Sequence, residues 1–397
     1  MDGIAMKGIT HFIFGAMLAT FFVEAVRAAI LEKNAIILLG GCYGILPDTL
    51  DFKLARYIEP EQYVIDPWTT KFDPQLIATT MAKAINEAHE TKKRTKFKIH
   101  TVKLGADWWR RLSVSFDLEK KIITARVEGI INTGQVPIPG TEPPAEKSWA
   151  IAKYKPDLIH DYDKESFVQI FSGPDFEFVP VGDKVRVDFI PWHRRWSHSF
   201  TYGAALGFLG FILGYIFTPS YLVDAEWGRV YFGLIGWGIA TFGFWGHVIE
   251  DQTGLMGSNL FPPFTKDRTK GLSMHYPGFG NARSSDAIPN FMWNWSAVAI
   301  AIYNFNMFSF KRAFTPPLIT YVTDIYGPLP FILEYIVGFI NYALVVIVAP
   351  LSVIYVLSYL HYRKNKADER FPERKITEEE MRAKEMLAEM GDGFEMD

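Results

Sequence analysis

The chain has 397 residues, of which 49% are hydrophobic and 15% aromatic, high proportions for a water-soluble protein. A formal net charge of −3 gives no whole-chain basic signature of nucleic-acid binding, and a single cysteine, Cys42, excludes an internal disulfide. The apolar residues are unevenly placed: 9–46 and 200–360 are rich in them, whereas 52–192 and 361–397 have the composition of water-soluble protein.

Along the chain, the first apolar run is His11–Ile30, close to the roughly 20 residues that a membrane-crossing helix requires. It contains Glu24 and Arg27, spaced to pair, and has no small-residue cleavage site, so it is expected to stay as a helix rather than act as a cleaved signal. Asn34–Leu46 follows and is short for a crossing. The pattern then changes. Asp73–Lys93 has apolar residues at helical spacing, and Leu112–Ile130 alternates like a hairpin with a polar turn at Glu119–Lys121. Phe176–Trp192 repeats the hairpin pattern around Gly182-Asp183. Between these, "TGQVPIPGTEPPAEK" is punctuated by proline and glycine and is predicted to be a surface loop. Four further apolar runs are Phe200–Phe217, Val230–Trp245, Phe291–Phe308 and Leu329–Leu360. From His361 the chain is polar, and the charges of "ITEEEMRAKEMLAEM" predict a short solvated helix.

The expected fold is an α-helical integral membrane protein of about six membrane segments, with a soluble, strand-rich α+β domain inserted between segments 2 and 3. The expected divisions are 1–51, the insert at 52–190, 191–362, and a polar tail at 363–397.

Chemistry-bearing residues fall in four places. His11 opens the first run in "GITHFIFG", and Asp48 and Asp51 lie in "LPDTLDF" after the second. His193 and His198 lie in "HRRWSHS" before the third, and His247, Glu250 and Asp251 close the fourth in "GHVIEDQTGLMG". If every run crosses, all four places share one side of the membrane and can converge on one site. Imidazole and carboxylate are ligands for zinc and for harder divalent ions such as manganese. His247 and Asp251, four residues apart, share a helix face. Arg194 and Arg195 suit an anionic substrate, because a guanidinium pairs with phosphate or carboxylate through two hydrogen bonds. Each motif also has a structural explanation: the aspartates as caps, the histidines as satisfied interfacial side chains, the arginines as contacts to lipid phosphate. His275 lies on the same side and reads more simply as a surface histidine.

This series resembles the YdjM family of membrane-bound, metal-dependent hydrolases. There an N-terminal histidine is followed by Pro-Asp-x-Asp, then His-Arg-Gly-x-Thr-His-Ser, then a His-x-x-x-Asp helix leading to a glycine and a proline-containing turn. The resemblance spans 11–51 and 192–264, and its most specific element is the double histidine. It implies His11, Asp48, His193, His198, His247 and Asp251 as metal-site residues and a divalent metal, zinc first. Through a likeness to the zinc-dependent phospholipase C and single-strand nuclease group, it implies phosphoester hydrolysis. In that scheme Asp51 or Glu250 is the general base, and Arg194 and Arg195 orient the anionic group. The sequence departs from the pattern in four ways. Leu50 stands where the family has its second acid, Thr253 is one residue closer to Asp251 than its counterpart, Ser197 replaces threonine, and the insert is far longer than the usual connection. An insert at that point is expected to gate the site or to dock a protein partner.

Lysines and arginines in the short flanks, among them Lys7, Arg195, Arg268 and Lys270, favour the ligand side and predict that the site and insert are cytoplasmic, in the cell membrane. Expected partners are membrane lipid, a phosphoester substrate and a protein bound by the insert. Two other functions stay open: a non-catalytic membrane protein whose metal or hydrogen bonds staple helix ends, and a transporter. Transport requires ionisable groups along the crossing, and the third and fourth runs have almost none between their ends.

Overall fold

The computed structural model describes residues 8–58, 61–66, 73–100, 108–132, 138–144, 147–159, 165–168, 175–189, 193–254, 257–265, 268–272, 275–276, 280–281 and 287–364. They form two compact units, one of residues 52–192 and one of residues 3–51 with 193–367. The predicted tail helix lies outside the described residues, as do 133–137 and 145–146 of the predicted loop. The part of that loop at 138–144 has no helix or strand.

The first apolar run is two helices, α1 (Gly8–Ala19) and α2 (Val23–Glu32), which meet at 98°. At the corner the Thr20 hydroxyl donates to the Met17 carbonyl at 2.6 Å, a local bond that competes with continuation of the helix. Glu24 and Arg27 pair at 2.8 Å. α3 (Ile36–Ile58) runs well past the end of the second apolar run and carries Pro47, Asp48 and Asp51 within it. α1 and α3 touch through bare backbone. A Cβ on Gly15 would lie 2.3 Å from the Gly40 carbonyl oxygen, and one on Gly44 2.3 Å from that of His11, so glycine alone permits this approach.

Residues 52–192 hold β1 (Tyr63–Ile65), α4 (Pro74–Thr91), β2 (Thr95–Ile99), β3 (Trp108–Asp117) and β4 (Ile122–Asn132). There follow β5 (Trp149–Lys153), β6 (Asp157–Ile159), β7 (Glu165–Val168), β8 (Asp175–Val181) and β9 (Lys184–Phe189). α4 starts where Asp73 caps it, accepting the Gln75 N–H at 2.9 Å, with Pro74 in the first turn where no N–H partner is needed. Its buried stripe of Ile77, Met81, Ala84, Ile85 and Ala88 follows the helical repeat. The two hairpins lie where the alternation places them: Asp117 faces Ile122 across β3 and β4, and Val181 faces Lys184 across β8 and β9, with Gly182 in the left-handed region. The strands form two sheets, ordered β1-β2-β8-β9-β6 and β5-β4-β3-β7. Ile85, Phe97, Val114, Ile123, Phe176 and Phe178 join helix and sheets in one apolar core.

The helical unit resumes with α5 (Phe200–Ile216), α6 (Ser220–Val223) and α7 (Gly228–Gln252). A short pair, β10 (His275–Tyr276) and β11 (Gly280–Asn281), precedes α8 (Ala287–Phe308), α9 (Pro317–Tyr326) and α10 (Phe331–Ala343). A π-helical turn at Leu344–Val348 leads into α11 (Ala349–Lys364). Ser199 caps α5, accepting the Tyr202 N–H at 3.2 Å. α5 buries Gly203, Gly207, Gly210 and Gly214; a Cβ on Gly210 would lie 2.5 Å from the Gly236 carbonyl oxygen of α7. Gly243 of α7 in turn approaches Gly40 of α3. Small residues thus draw α1, α3, α5 and α7 together.

The expectation of about six membrane segments is not met. Among the described residues, 2 helices are long and apolar enough to cross a membrane, Gly228–Gln252 and Phe331–Leu360, and a third appears only if the bent α1–α2 pair counts as one span. Apolar composition does not guarantee a continuous helix. The first run breaks at Thr20, α5 stops after 17 residues, α3 is continuous but its apolar stretch ends at Asp48 and Asp51, and α8 carries Asn290, Asn294, Asn304 and Asn306. A substantial part of the chain between residues 63 and 189 is strand.

Candidate metal centre

All the residues of this site belong to the helical unit. α1 supplies His11, α3 supplies Asp48 and Asp51, the turn before α5 supplies His193, Arg194, Ser197 and His198, and the last turns of α7 supply His247, Glu250 and Asp251.

The Nδ1 contacts of three histidines decide which way they face. His247 Nδ1 lies 2.6 Å from the Gly44 carbonyl oxygen, His11 Nδ1 lies 2.8 Å from Glu250 Oε2, and His198 Nδ1 lies 3.1 Å from Asp51 Oδ2. A carbonyl or carboxylate can only accept, so each assigns a proton to Nδ1 and leaves the Nε2 lone pair facing the other way. The glycine contact between α1 and α3 is what brings the Gly44 carbonyl within reach of His247.

The inward atoms are crowded. His198 Nε2 and His247 Nε2 are 3.0 Å apart, and Asp251 Oδ2 is 3.3 Å from each. Asp48 Oδ1 is 3.3 Å from His198 Nε2 and 3.6 Å from His247 Nε2. Two Nε2 atoms this close repel unless they share a proton, as a hydrogen bond between the rings, or a metal ion. Donors about 2.0–2.1 Å from one ion in a tetrahedral site stand roughly 3.3 Å from each other, close to the spacing at which Asp251 Oδ2 and Asp48 Oδ1 each stand to the two Nε2 atoms. Asp251 Oδ2 is buried without a hydrogen bond, and so is His11 Nε2, whose ring stacks on that of His247 with centroids 3.8 Å apart. Three triplets could hold a metal ion: His11, His247 and Asp251; Asp48, His198 and His247; Asp51, His193 and His198. Of all these residues only Asp48 keeps appreciable exposure, 18% of its side chain.

Asp51 has both oxygens engaged. Oδ2 accepts from His193 Nδ1 at 2.9 Å and from the Arg194 N–H at 3.0 Å, and Oδ1 accepts from the Ser197 hydroxyl. Burial alone would raise its carboxyl, but the His198 charge and the hydrogen bonds from His193 and His198 hold it down at about 2. Burial likewise opposes charge on His198, yet Asp51, Asp251 and Asp48 raise it well above the ordinary imidazole value. Glu250, the other carboxylate offered as base, anchors His11 through Oε2 and keeps Oε1 buried without a partner.

Arg194 faces inward, 2% exposed, with a left-handed φ of 63°. Its Nη2 donates to Asp251 Oδ1 at 2.9 Å, Nη1 to the Asp251 carbonyl at 3.0 Å, and Nε lies 3.4 Å from His193 Nε2. Arg195 is half-buried. The His275 side chain lies outside the described residues.

No known family, curated protein or solved structure matches this chain.

Thus the six proposed ligand residues and both proposed bases gather in one place, while His193 sits with Asp51 and Arg194 rather than among the four closest donors. Two partners carry little sequence signal. The Gly44 carbonyl has no side chain to announce it, although Gly40 and Gly44 at i, i+4 are the signature of a close helix contact. Ser197, noted in the sequence only as a replacement for threonine, braces Asp51.

Proposed function

We propose that the chain is a membrane-bound, metal-dependent hydrolase of phosphoesters, lipid-borne or otherwise membrane-associated, with zinc held by Asp48, His198, His247 and Asp251. The observation that carries this is the packing of two imidazole Nε2 atoms 3.0 Å apart, each turned inward by an acceptor on its Nδ1. Imidazole and carboxylate donors at these separations suit zinc. The hydrolytic class is supported by the resemblance of the four motifs to the YdjM family. When bound, such an ion supplies Lewis acidity and a water acidic enough to give hydroxide near neutral pH.

The chain's own residues then divide the work. Asp51 orients His198, the arrangement by which an outer carboxylate fixes a ligating imidazole, and also holds His193; Glu250 holds His11, whose ring stacks on that of His247. With Asp51 fully engaged, Glu250 Oε1 is the better-placed proton acceptor. Arg194 grips Asp251, and Arg195, half-buried next to it in the chain, is the arginine to which we assign an anionic group, as the family resemblance implies. Cations at this end of the helices, Arg195, Arg268 and Lys270, support a cytoplasmic placement.

A structural staple is the competing role, favoured by the burial of the donors and by their number, since structural zinc sites are closed and catalytic ones keep a position open. Metal analysis of the purified protein beside His198→Ala and Asp251→Ala, with phosphodiester and phospholipid hydrolysis assayed on the same samples, separates the two. Stoichiometric metal and turnover, both lost in the variants, are expected. Metal without turnover would assign the staple, and a metal-replete wild type that retains no ion would end both.

A further inference from the structure

After α7, residues 257–265 and 268–272 fold tightly together beside the histidines and carboxylates. Gly257 has a φ of 62°, and a Cβ there would lie 1.8 Å from the Thr269 carbonyl oxygen. The Thr269 N–H and hydroxyl donate to the Ser258 carbonyl at 3.0 and 2.8 Å, the Thr265 N–H to that of Phe261 at 2.9 Å, and the Leu272 N–H to that of Gln252 at 2.7 Å. Two bonds tie the segment to the site. The Asn259 N–H donates to the Arg194 carbonyl at 2.9 Å, and Arg268 Nη1 to the His193 carbonyl at 3.3 Å. Yet this firmly held segment turns large apolar side chains outward: Phe264 is 84% exposed, Leu272 75% and Phe261 48%, with Lys270 exposed beside them. So many internal bonds leave no slack to explain that exposure, and water is a poor partner for such a tip.

The tip continues a longer apolar surface. Leu234, Trp237 and Phe242 of α7 and Phe208 and Leu209 of α5 are exposed along the helices. From there, aromatic contacts run from Phe242 to Trp245, from Trp245 to Phe200 and from Phe200 to Phe261, at 5.5, 5.5 and 5.6 Å between centroids. The apolar band of a helix long enough to cross a membrane therefore passes without a gap into the segment that touches the site.

We propose that residues 257–265 and 268–272 are an interfacial anchor, with Phe261, Phe264 and Leu272 seated at the headgroup and upper acyl level of a phospholipid bilayer and Lys270 toward its phosphates. Aromatic and cationic side chains at the end of an apolar band are what that layer accommodates. The anchor holds the His/Asp centre next to the headgroups, whatever chemistry the centre performs.

The test places a nitroxide on the full-length protein in a Cys42→Ser background, at Phe264→Cys and separately at Leu272→Cys, in nanodiscs of phosphatidylcholine and phosphatidylglycerol. Power-saturation EPR compares collisions with oxygen and with a water-soluble nickel chelate. Both positions are expected to favour oxygen, as a label at Leu344→Cys in the apolar helix does, at shallower depth. Nickel collisions at either position equal to those of free label in buffer would overturn the anchor. So would dipolar broadening at Phe264→Cys that vanishes on dilution with unlabelled protein, because the surface would then belong to a second copy.

Discussion

Arg194 stands between two histidines, where a substrate contact is the natural expectation, yet its guanidinium spans the carboxylate and the carbonyl of one residue, Asp251. A lysine cannot make that forked contact from a single ammonium. Arg194→Lys is therefore expected to weaken metal binding about 10–100-fold, the usual cost of losing an outer-sphere partner, while Arg195→Lys leaves it near wild type. Competition against a chromophoric chelator measures both, and equal affinity in Arg194→Lys would remove the brace from the account. Glu250→Gln should weaken binding by a smaller factor, because a neutral amide is a poorer acceptor for the His11 N–H and His11 acts on the centre through its stacking on His247. The side chains of the site were legible because histidine and aspartate bear their chemistry in their names. What each one does was not, since both arginines read alike until their partners are seen.

At the scale of elements, Gly44 links helix packing to the site. Alanine there would press a methyl onto the His11 carbonyl and displace the carbonyl that orients His247. Gly44→Ala is expected to cost about 1–3 kcal/mol by overpacking and to lower metal retention with it. Gly8→Ala, with open space around its Cβ position, should do neither. Thermal denaturation and metal analysis of the two variants decide the matter. The hairpins β3–β4 and β8–β9 were legible because a two-residue alternation fixes which face is buried. The 98° corner after α1 was not, because an apolar run looks the same whether its axis continues or turns. Counting crossings to bring the four motifs to one side accordingly rested on helices that do not all cross. The motifs meet through glycine contacts between neighbouring helices.

The whole molecule has two kinds of interior. Residues 52–192 enclose an apolar core of their own around Ile85, and the helical unit packs separately around its glycine faces and polar centre. Ile85→Ala is expected to destabilise the strand-bearing unit by about 2–5 kcal/mol and to leave the bound metal in place. Denaturant unfolding followed by circular dichroism, with metal measured on the same samples, checks that separation. Loss of metal together with the strands would mean that the two interiors are coupled.

The bond between Asp51 and His193 has a consequence for how such a chain can change over time. These residues stand on either side of everything the inserted unit contributes, and they hold each other at 2.9 Å. A unit entered and left at a clasped doorway can grow, shrink or be exchanged without parting the helices that carry the centre. Chain closure charges only about 0.6 kcal/mol for each doubling of loop length. The inserted unit is in that sense a replaceable cartridge, and the clasp that admits it is made from residues of the site.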